Sequence, residues 1–141
     1  MIIRDARIDD VPALTRLLDQ LGYATDEEAV SRRLERLAAS DADRLFVAEE
    51  GGAVVAVAGI HVSRSIEYDR DAAKVSALVV DEEHRRRGIG EALMARIEEE
   101  ARARGCVLLF LTTAERRKDA HEFYRRVGLE ETGRRFAKSL E

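Results

Sequence analysis

The spacing of apolar and polar residues predicts that two amphipathic helices follow a short first strand. Residues 2–8 alternate loosely, as a strand does, and apolar residues then recur at helical spacing over 11–21 and again over 29–37. Gly22 is placed to end the first helix, and Asp26 is placed to cap the second.

The middle of the chain is typical of three strands. Apolar runs over residues 45–49 and 54–62 flank Gly51 and Gly52, a pair that tolerates the positive φ of a hairpin turn. Residues 74–80 become apolar at nearly every position, which indicates a strand buried on both faces at the centre of a sheet.

Helices and strands alternate in the last third of the chain. The period is helical from Gly88 until Gly105, and the apolar run over residues 107–111 predicts another buried strand. A last amphipathic helix covers residues 120–127, and residues 129–140 supply a final strand or hairpin. The predicted order is therefore β-α-α-β-β-β-α-β-α-β.

The composition is that of one globular domain. A chain of 141 residues suffices for a single core, and 45% hydrophobic with 37% charged residues excludes a disordered chain. We therefore expect one domain over residues 1–141. The formal net charge of -4 excludes a polycationic nucleic-acid binder, so any anion site has to be local.

The chain offers little for redox, metal or membrane chemistry. Cys106 is its one cysteine and cannot form an intramolecular disulfide, and no CxxC or HxxxH pair provides metal ligands. Residues 1–10 lack the apolar core of a signal peptide, and no apolar run approaches the roughly 18 residues that span a bilayer. We expect a metal-free cytoplasmic protein that binds neither membrane nor nucleic acid.

The turn HRRRGIG at residues 84–90 is the main candidate for chemistry. It joins a buried strand to the start of a helix, where backbone N–H groups lack intrahelical acceptors and the helix dipole favours an anion. Gly88 and Gly90 leave out the Cβ atoms that would keep a phosphate away from those amides. A phosphate or pyrophosphate is the ligand that this pattern favours.

The spacing in this turn excludes two widespread phosphate motifs. The P-loop pattern GxxxxGK[ST] and the dinucleotide pattern GxGxxG are both absent, and Arg85, Gly88 and Gly90 form RxxGxG instead. Taken alone, this hexapeptide is equally typical of a turn in which the arginines are solvated and the glycines allow the bend.

Two segments resemble the GNAT superfamily of acyl-CoA-dependent N-acetyltransferases. Residues 76–94, SALVVDEEHRRRGIGEALM, are similar to the strand, RxxGxG turn and helix that hold the CoA pyrophosphate in that family. Residues 120–129, AHEFYRRVGL, are similar to its later helix, although Leu129 replaces the usual phenylalanine and Arg117 stands where many members have asparagine. The resemblance implies a single-domain α/β (α+β) fold, with a mixed, mostly antiparallel twisted sheet of six to seven strands flanked by about four helices.

The resemblance also implies where acetyl-CoA binds as co-substrate. In the family, the central strand splays from its neighbour and its free backbone groups pair with the pantetheine arm; the matching residues are Leu78, Val79 and Val80. The pyrophosphate then lies over the turn and the helix start. The residues assigned to it are Arg85, Arg86, Arg87, Gly88, Ile89, Gly90 and Glu91, and the sequence does not distinguish which arginine touches phosphate.

Acyl transfer to an amine needs a proton for the leaving thiolate and a neutral amine for attack. The match to the family's F-Y pair makes Tyr124 the candidate acid, although its helical spacing with Phe123 is also typical of a core residue. No base is evident, because Lys74 stands at the strand position where some members have a glutamate. The weaker candidates, beside a chain of waters, are His61, Glu67, Asp69 and Glu82.

The acceptor and the assembly stay open at this point. Residues 19–30 and 63–73, which match the acceptor-pocket segments of the family, are rich in carboxylates, a composition that suits a cationic amine and equally suits solvated loops. The resemblance implies a primary amine of a small molecule or protein as acceptor, and a possible homodimer. The alternative is a non-catalytic acyl-CoA-binding sensor or partner-binding module, which the presence of Tyr124 disfavours.

Overall fold

Five strands form one mixed sheet in the computed structural model, which describes residues 1–112 and 118–141. The strands lie in chain order across the sheet; the first three neighbouring pairs are antiparallel and the last pair is parallel. They are β1 (Ile2–Asp5), β2 (Asp43–Glu50), β3 (Ala53–Ser63), β4 (Ala72–Val80) and β5 (Leu108–Phe110).

Four α-helices accompany the sheet in the described residues: α1 (Val11–Leu21), α2 (Glu27–Ala38), α3 (Ile89–Ala103) and α4 (Lys118–Arg126). The predicted helix ends at Gly22 and Asp26 are confirmed. Gly22 closes α1 with a left-handed φ of 103°, and Asp26 Oδ1 accepts a hydrogen bond of 2.8 Å from the amide of Ala29 at the start of α2.

The helices cover the two faces of the sheet and give the core two halves. On one face, α1 and α2 pack on β2, β3 and β4 through a cluster that includes Leu14, Leu17, Val30, Val57 and Val79. On the other face, α3 packs through a second cluster that includes Phe46, Ile60, Val75, Leu93 and Ile97. We call these the α1/α2 face and the α3 face.

A β-bulge at Ser76 changes the direction of side chains along β4. Gly59 is paired with Ala77 and its neighbour Ile60 with Val75, so Ser76 is the extra residue on β4. Its Oγ occupies the space that a Cβ on Gly59 would need. Val75 before the bulge faces α3, and beyond the bulge it is Leu78 and Val80 that border the α3 cluster.

β4 and β5 pair over three residues only. The parallel ladder consists of Ala72 with Leu108, Ala73 with Leu109 and Lys74 with Phe110, whereas β4 continues for six more residues to Val80. Beyond Lys74, the edge of β4 that faces β5 therefore has no strand partner among the described residues. We call the space beside this unpaired edge of β4 the gap beyond the β4–β5 ladder.

The fold class predicted from the sequence is confirmed, but two details of the sheet differ. Residues 129–141 form no regular strand, so five strands are described where six to seven were expected. Six of these thirteen residues are charged, and Phe136 and Leu140 are each 93% exposed. The strand predicted over 107–111 covers only Leu108–Phe110. It is also less buried than expected, since Leu108 at the sheet edge is 42% exposed.

Candidate acyl-CoA and acceptor site

The turn after β4 is a defined structure that leads directly into α3. A single 3-10 turn, Glu82–His84, follows Asp81, and two residues with left-handed backbone then reverse the chain, Arg86 with φ 65° and Gly88 with φ 78°. Left-handed φ is costly for most residues and free of strain for glycine, which explains the glycine at 88.

The start of α3 presents backbone amides beside open space. The amide of Ala92 donates to the carbonyl of Gly88 at 3.1 Å, so the amides of Ile89, Gly90 and Glu91 precede the first intrahelical hydrogen bond. A Cβ added to Gly88 would meet no atom within 4 Å. Free amides, the positive end of a helix dipole and unfilled space together suit an anionic group.

The three arginines of the turn have different surroundings. Arg85 donates from Nε to the carbonyl of Val80 at 3.2 Å, which ties the turn to the end of β4. Arg87 Nη1 lies 3.8 Å from Glu50 Oε2. Arg86 is exposed and makes no ion pair or side-chain hydrogen bond within the described parts of the chain. The structure thus separates three side chains that the sequence could not rank.

Gly90 also has a packing role that its spacing does not reveal. A Cβ at this position would lie 3.1 Å from Cζ and 3.2 Å from Cε1 of Phe123, and 3.7 Å from a methyl group of Val80. The space beside Gly90 is therefore filled by an aromatic ring of α4. Close packing of α4 on α3 requires this glycine, whereas Gly88 is the one that faces open space.

A side-chain network from α1 holds the turn in place. Gln20 Nε2 donates to Asp81 Oδ1 at 3.0 Å, and the amide of Glu82 donates to Gln20 Oε1 at 3.0 Å. His84 Nδ1 lies 3.1 Å from Asp81 Oδ2, and this carboxylate is buried. The hydrogen bond from Gln20 lowers the pKa of Asp81, while burial acts in the opposite direction. Sequence reasoning missed Gln20, which is 61 residues from Asp81 and belongs to no motif.

The remaining predicted cofactor residues lie at the end of β4, beyond its ladder with β5, or in the first turn of α3. Leu78 and Val80 are half-buried, and Val79 is buried against the α1/α2 cluster. Ile89 is in the α3 core, so only its backbone is available to a ligand. Glu91 is exposed, and its Oε1 lies 3.4 Å from Arg126 Nε. The predicted cofactor residues thus lie at the end of β4 and at the start of α3, which the turn connects.

Tyr124 is a buried residue of α4 that shares a cavity with β5. Its side chain is 9% exposed and its ring makes an edge contact with Phe123, with ring centroids 5.6 Å apart. It lines a cavity of about 1120 Å³ between α3, β5, α4 and residues 129–137. The cavity also contains Leu111 and Thr112, the residues that follow β5. Arg117 lies outside the described residues.

A row of polar residues crosses the α1/α2 face at the start of the gap. Asp43 is paired with His61 and His61 with Lys74, in register across three neighbouring strands. His61 Nδ1 lies 2.8 Å from Asp43 Oδ1, at hydrogen-bond distance. Of the other base candidates, Glu67 and Asp69 are exposed in the connection between β3 and β4.

Comparison with known proteins agrees with this arrangement. The sequence model of the acetyltransferase (GNAT) family matches residues 11–129. The chain belongs to this family.

Relatives within the family include enzymes of two kinds. The chain is 31% identical over 125 residues to an amino-acid acetyltransferase of Pseudomonas fluorescens, which covers 89% of the chain but 27% of that enzyme. It is 36% identical over 94 residues to an aminoalkylphosphonate N-acetyltransferase of Salmonella typhimurium, with 67% of the chain and 61% of that enzyme covered. The chain thus spans about a quarter of the first relative.

Solved structures share the whole architecture. A putative acetyltransferase from Agrobacterium tumefaciens superimposes with a TM-score of 0.86 at 25% identity, covering 98% of this chain and 100% of that one. A transcriptional regulator from Bacillus halodurans superimposes with a TM-score of 0.91 at 22% identity and 99% coverage of both chains, a likeness that shows the fold alone.

Neither a metal-binding cluster nor a membrane-spanning helix occurs in the described residues. Residues 1–112 and 118–141 hold no group of three or more His, Cys, Asp or Glu side chains that could bind a metal ion. None of the helices described above has the length and apolar content needed to cross a bilayer.

Proposed function

We propose that the chain is an acetyl-CoA-dependent N-acetyltransferase that moves an acetyl group to a primary amine by direct attack in a ternary complex. The observation that carries this proposal is the edge of β4 that has no strand partner beyond Lys74, as far as Val80, among the described residues, followed after one turn by the free amides of α3. An extended arm that ends in a pyrophosphate fits such a surface, because it can add to the strand edge and place its anion at the helix start.

The residues that would hold acetyl-CoA follow from this surface. On the edge of β4 that points away from β3, backbone groups of Leu78 and the amide of Val80 would bind the pantetheine arm as a neighbouring strand does, with Val79 between them paired to Val57 of β3. The amides at the start of α3 would bind the pyrophosphate over Gly88, where the space is open. Arg86 is the arginine best placed to reach phosphate, since Arg85 and Arg87 already contact protein groups.

Tyr124 is the proposed general acid. The amine nitrogen forms a bond to the thioester carbonyl carbon, the carbon–sulfur bond breaks, and the phenol gives its proton to the leaving thiolate. The nitrogen gives one proton to the base, which leaves a neutral amide, and solvent carries a proton from the base back to the phenolate. Tyr124 lines the same cavity as Leu111 and Thr112, the residues that follow β5, and this position supports the role. Among the base candidates, His61 is favoured because it is bonded to Asp43 next to the residue where the strands separate.

Direct transfer requires no covalent acyl-enzyme. Cys106, the one cysteine of the chain, lies at the other end of the sheet, just before β5. Burial raises the pKa of its thiol, which disfavours the thiolate that a nucleophile needs. Because the two relatives are named as acetyltransferases of amino acids and of aminoalkylphosphonates, these compounds are the first acceptors to test.

The test combines binding with turnover in one preparation. Acetyl-CoA and CoA are titrated by calorimetry, and thiol release is then followed against a panel of amines. Binding together with amine-dependent release supports the enzyme. Binding without release for any amine supports the alternative, a non-catalytic acyl-CoA sensor, and absence of binding overturns both.

The cellular location and the oligomeric state of the enzyme are proposed from family resemblance. A cytoplasmic homodimer is expected, and light scattering on the purified chain measures the assembly. A monomer that still transfers acetyl groups would contradict the proposed homodimer but not the proposed reaction.

A further inference from the structure

Lys74 projects from β4 on the α1/α2 face, opposite α3. Its neighbours along the strand, Ala73 and Val75, are buried in the α3 cluster, and successive side chains of a strand point to opposite faces. Its register partners are His61 on β3 and Phe110 on β5. Lys74 is thus the last residue of β4 that is paired with β5.

The charge of Lys74 has no partner within the described residues. The side chain is half-buried and makes no ion pair or side-chain hydrogen bond there. The carboxylate in the row of Asp43, His61 and Lys74 is that of Asp43, and it lies at hydrogen-bond distance from the ring of His61. A cation that is partly removed from water and not neutralised by the protein favours an anionic ligand.

Lys74 lies within reach of the proposed reaction centre. A strand advances about 3.3 Å per residue, so the exposed bulge residue Ser76 is about 7 Å further along β4, and Leu78 begins the proposed pantetheine surface beyond it. A small molecule held by an anionic group at Lys74 can therefore present an amine near the bulge.

The acidic segments beside this face are less suited to bind a cation than their composition indicates. Asp26 is used to cap α2, and Glu28 Oε1 lies 3.9 Å from Arg32 Nη1. Glu67 and Asp69 are exposed in the connection between β3 and β4. None of these carboxylates is in register with Lys74, whereas the lysine is part of the sheet itself.

We propose that Lys74 binds an anionic group of the acceptor, which makes the acceptor a small amine that also carries a carboxylate, phosphonate or phosphate. This inference rests on the proposed N-acetyltransferase function. It assigns specificity to a residue of the central strand and predicts discrimination against amines that lack an anion.

The test compares matched acceptors in matched variants. 2-Aminoethylphosphonate and β-alanine represent anionic amines, propylamine a neutral chain, and putrescine a diamine. Lys74→Met keeps the apolar stem and removes the charge, Lys74→Arg keeps the charge, and Lys138→Met removes an exposed lysine of the C-terminal segment as a control. Steady-state kinetics give kcat and KM for the acceptor and for acetyl-CoA separately.

We expect the loss of the Lys74 charge to change the KM of the acceptor and not the KM of acetyl-CoA. Lys74→Met raises the acceptor KM for anionic amines at least about tenfold, the loss of one charge-assisted contact, and leaves the acetyl-CoA KM unchanged. Lys74→Arg retains most of the preference, and Lys138→Met behaves as the wild type. An unchanged preference in Lys74→Met, or a wild type that prefers putrescine, overturns the proposal.

A binding experiment separates this inference from the proposed function. 2-Aminoethylphosphonate is titrated by calorimetry into the CoA-bound wild type and into CoA-bound Lys74→Met. Binding that the variant loses supports Lys74 even if no amine is acetylated, a result that would overturn the enzyme alone. Equal binding by both proteins, or no binding by the wild type, overturns the role of Lys74 while acetyl transfer can still be observed with other amines.

Discussion

The ring of Phe123 occupies the space beside Gly90, with Cζ only 3.1 Å from the point where a Cβ would stand. This contact joins α4 to the first turn of α3. Phe123 is also in edge contact with Tyr124, the next residue of α4. A glycine that lies within the cofactor motif therefore also allows α4, which carries the proposed acid, to pack against the start of α3.

Gly90→Ala is expected to destabilise the protein through this contact. A Cβ at 3.1 to 3.2 Å from an aromatic ring forces a local shift, which costs roughly 1–3 kcal/mol in the free energy of unfolding. Urea denaturation measures the change. Gly133→Ala, at a glycine with open space and ordinary φ, is the control and should have little effect. In the double variant with Phe123→Leu, the cost should be smaller than the sum of the two single costs, and strict additivity would contradict the contact.

Gly88→Asn is expected to weaken CoA binding while the fold is kept. Asparagine tolerates a left-handed backbone, and its side chain then enters the open space over the amides of α3. We expect CoA affinity to fall at least about tenfold by calorimetry. Gly51→Asn, in the β2–β3 hairpin with φ 60° and open space, is the matched control. Equal CoA affinity in the two variants would show that the pyrophosphate does not bind at Gly88.

Tyr124→Phe is expected to slow turnover without weakening cofactor binding. The substitution keeps the ring that packs against Phe123 and removes the proton donor, and loss of a general acid lowers kcat by about 10²- to 10⁴-fold. Acetyl-CoA affinity and kcat are measured on the same preparation. A variant with full kcat would assign the protonation of the thiolate to another group.

Asp81 gives a pH-dependent contribution to stability. The hydrogen bond from Gln20 lowers its pKa below the usual value of about 3.8, so ionised Asp81 stabilises the folded state above that pH. The contribution is lost as the pH falls through the lower pKa of the folded state. Asp81→Asn should therefore lower Tm at pH 5, and its deficit relative to the wild type should shrink below about pH 3.8.

The exposed Asp9→Asn variant is the control for this measurement, because Asp9 makes no comparable contacts in the described residues. Its Tm should follow that of the wild type over the same pH range. A deficit of Asp81→Asn that persists unchanged at pH 3 would mean that the carboxylate of Asp81 is not what holds the turn.

The sequence predicted those features that depend on neighbours along the chain. Helix ends at Gly22 and Asp26, the hairpin at Gly51 and the start of α3 after Gly88 all follow from local backbone preferences. The final strand over 129–140 was wrong because strand formation requires a partner, and the charged segment finds none in the described structure.

The features that the sequence did not predict depend on contacts between distant residues. The pairing of Phe123 with Gly90 and of Gln20 with Asp81 joins residues 33 and 61 positions apart, and neither distance has a periodic signature. In the sequence, Lys74 was distinguished only as the residue that stands where some family members have a glutamate. Its significance came from the register with His61 and from the end of the β4–β5 ladder, which are properties of the sheet.

The unpaired edge of β4 should make the site visible by hydrogen–deuterium exchange before any acceptor is known. On the side of β4 that faces β5, the amides beyond Lys74 have no strand acceptor among the described residues, so they should exchange quickly in the free protein. The amides that pair with β3 should exchange slowly in the same peptide. Addition of CoA would then protect the fast set alone, and the exchange pattern would report occupancy of the site one backbone amide at a time.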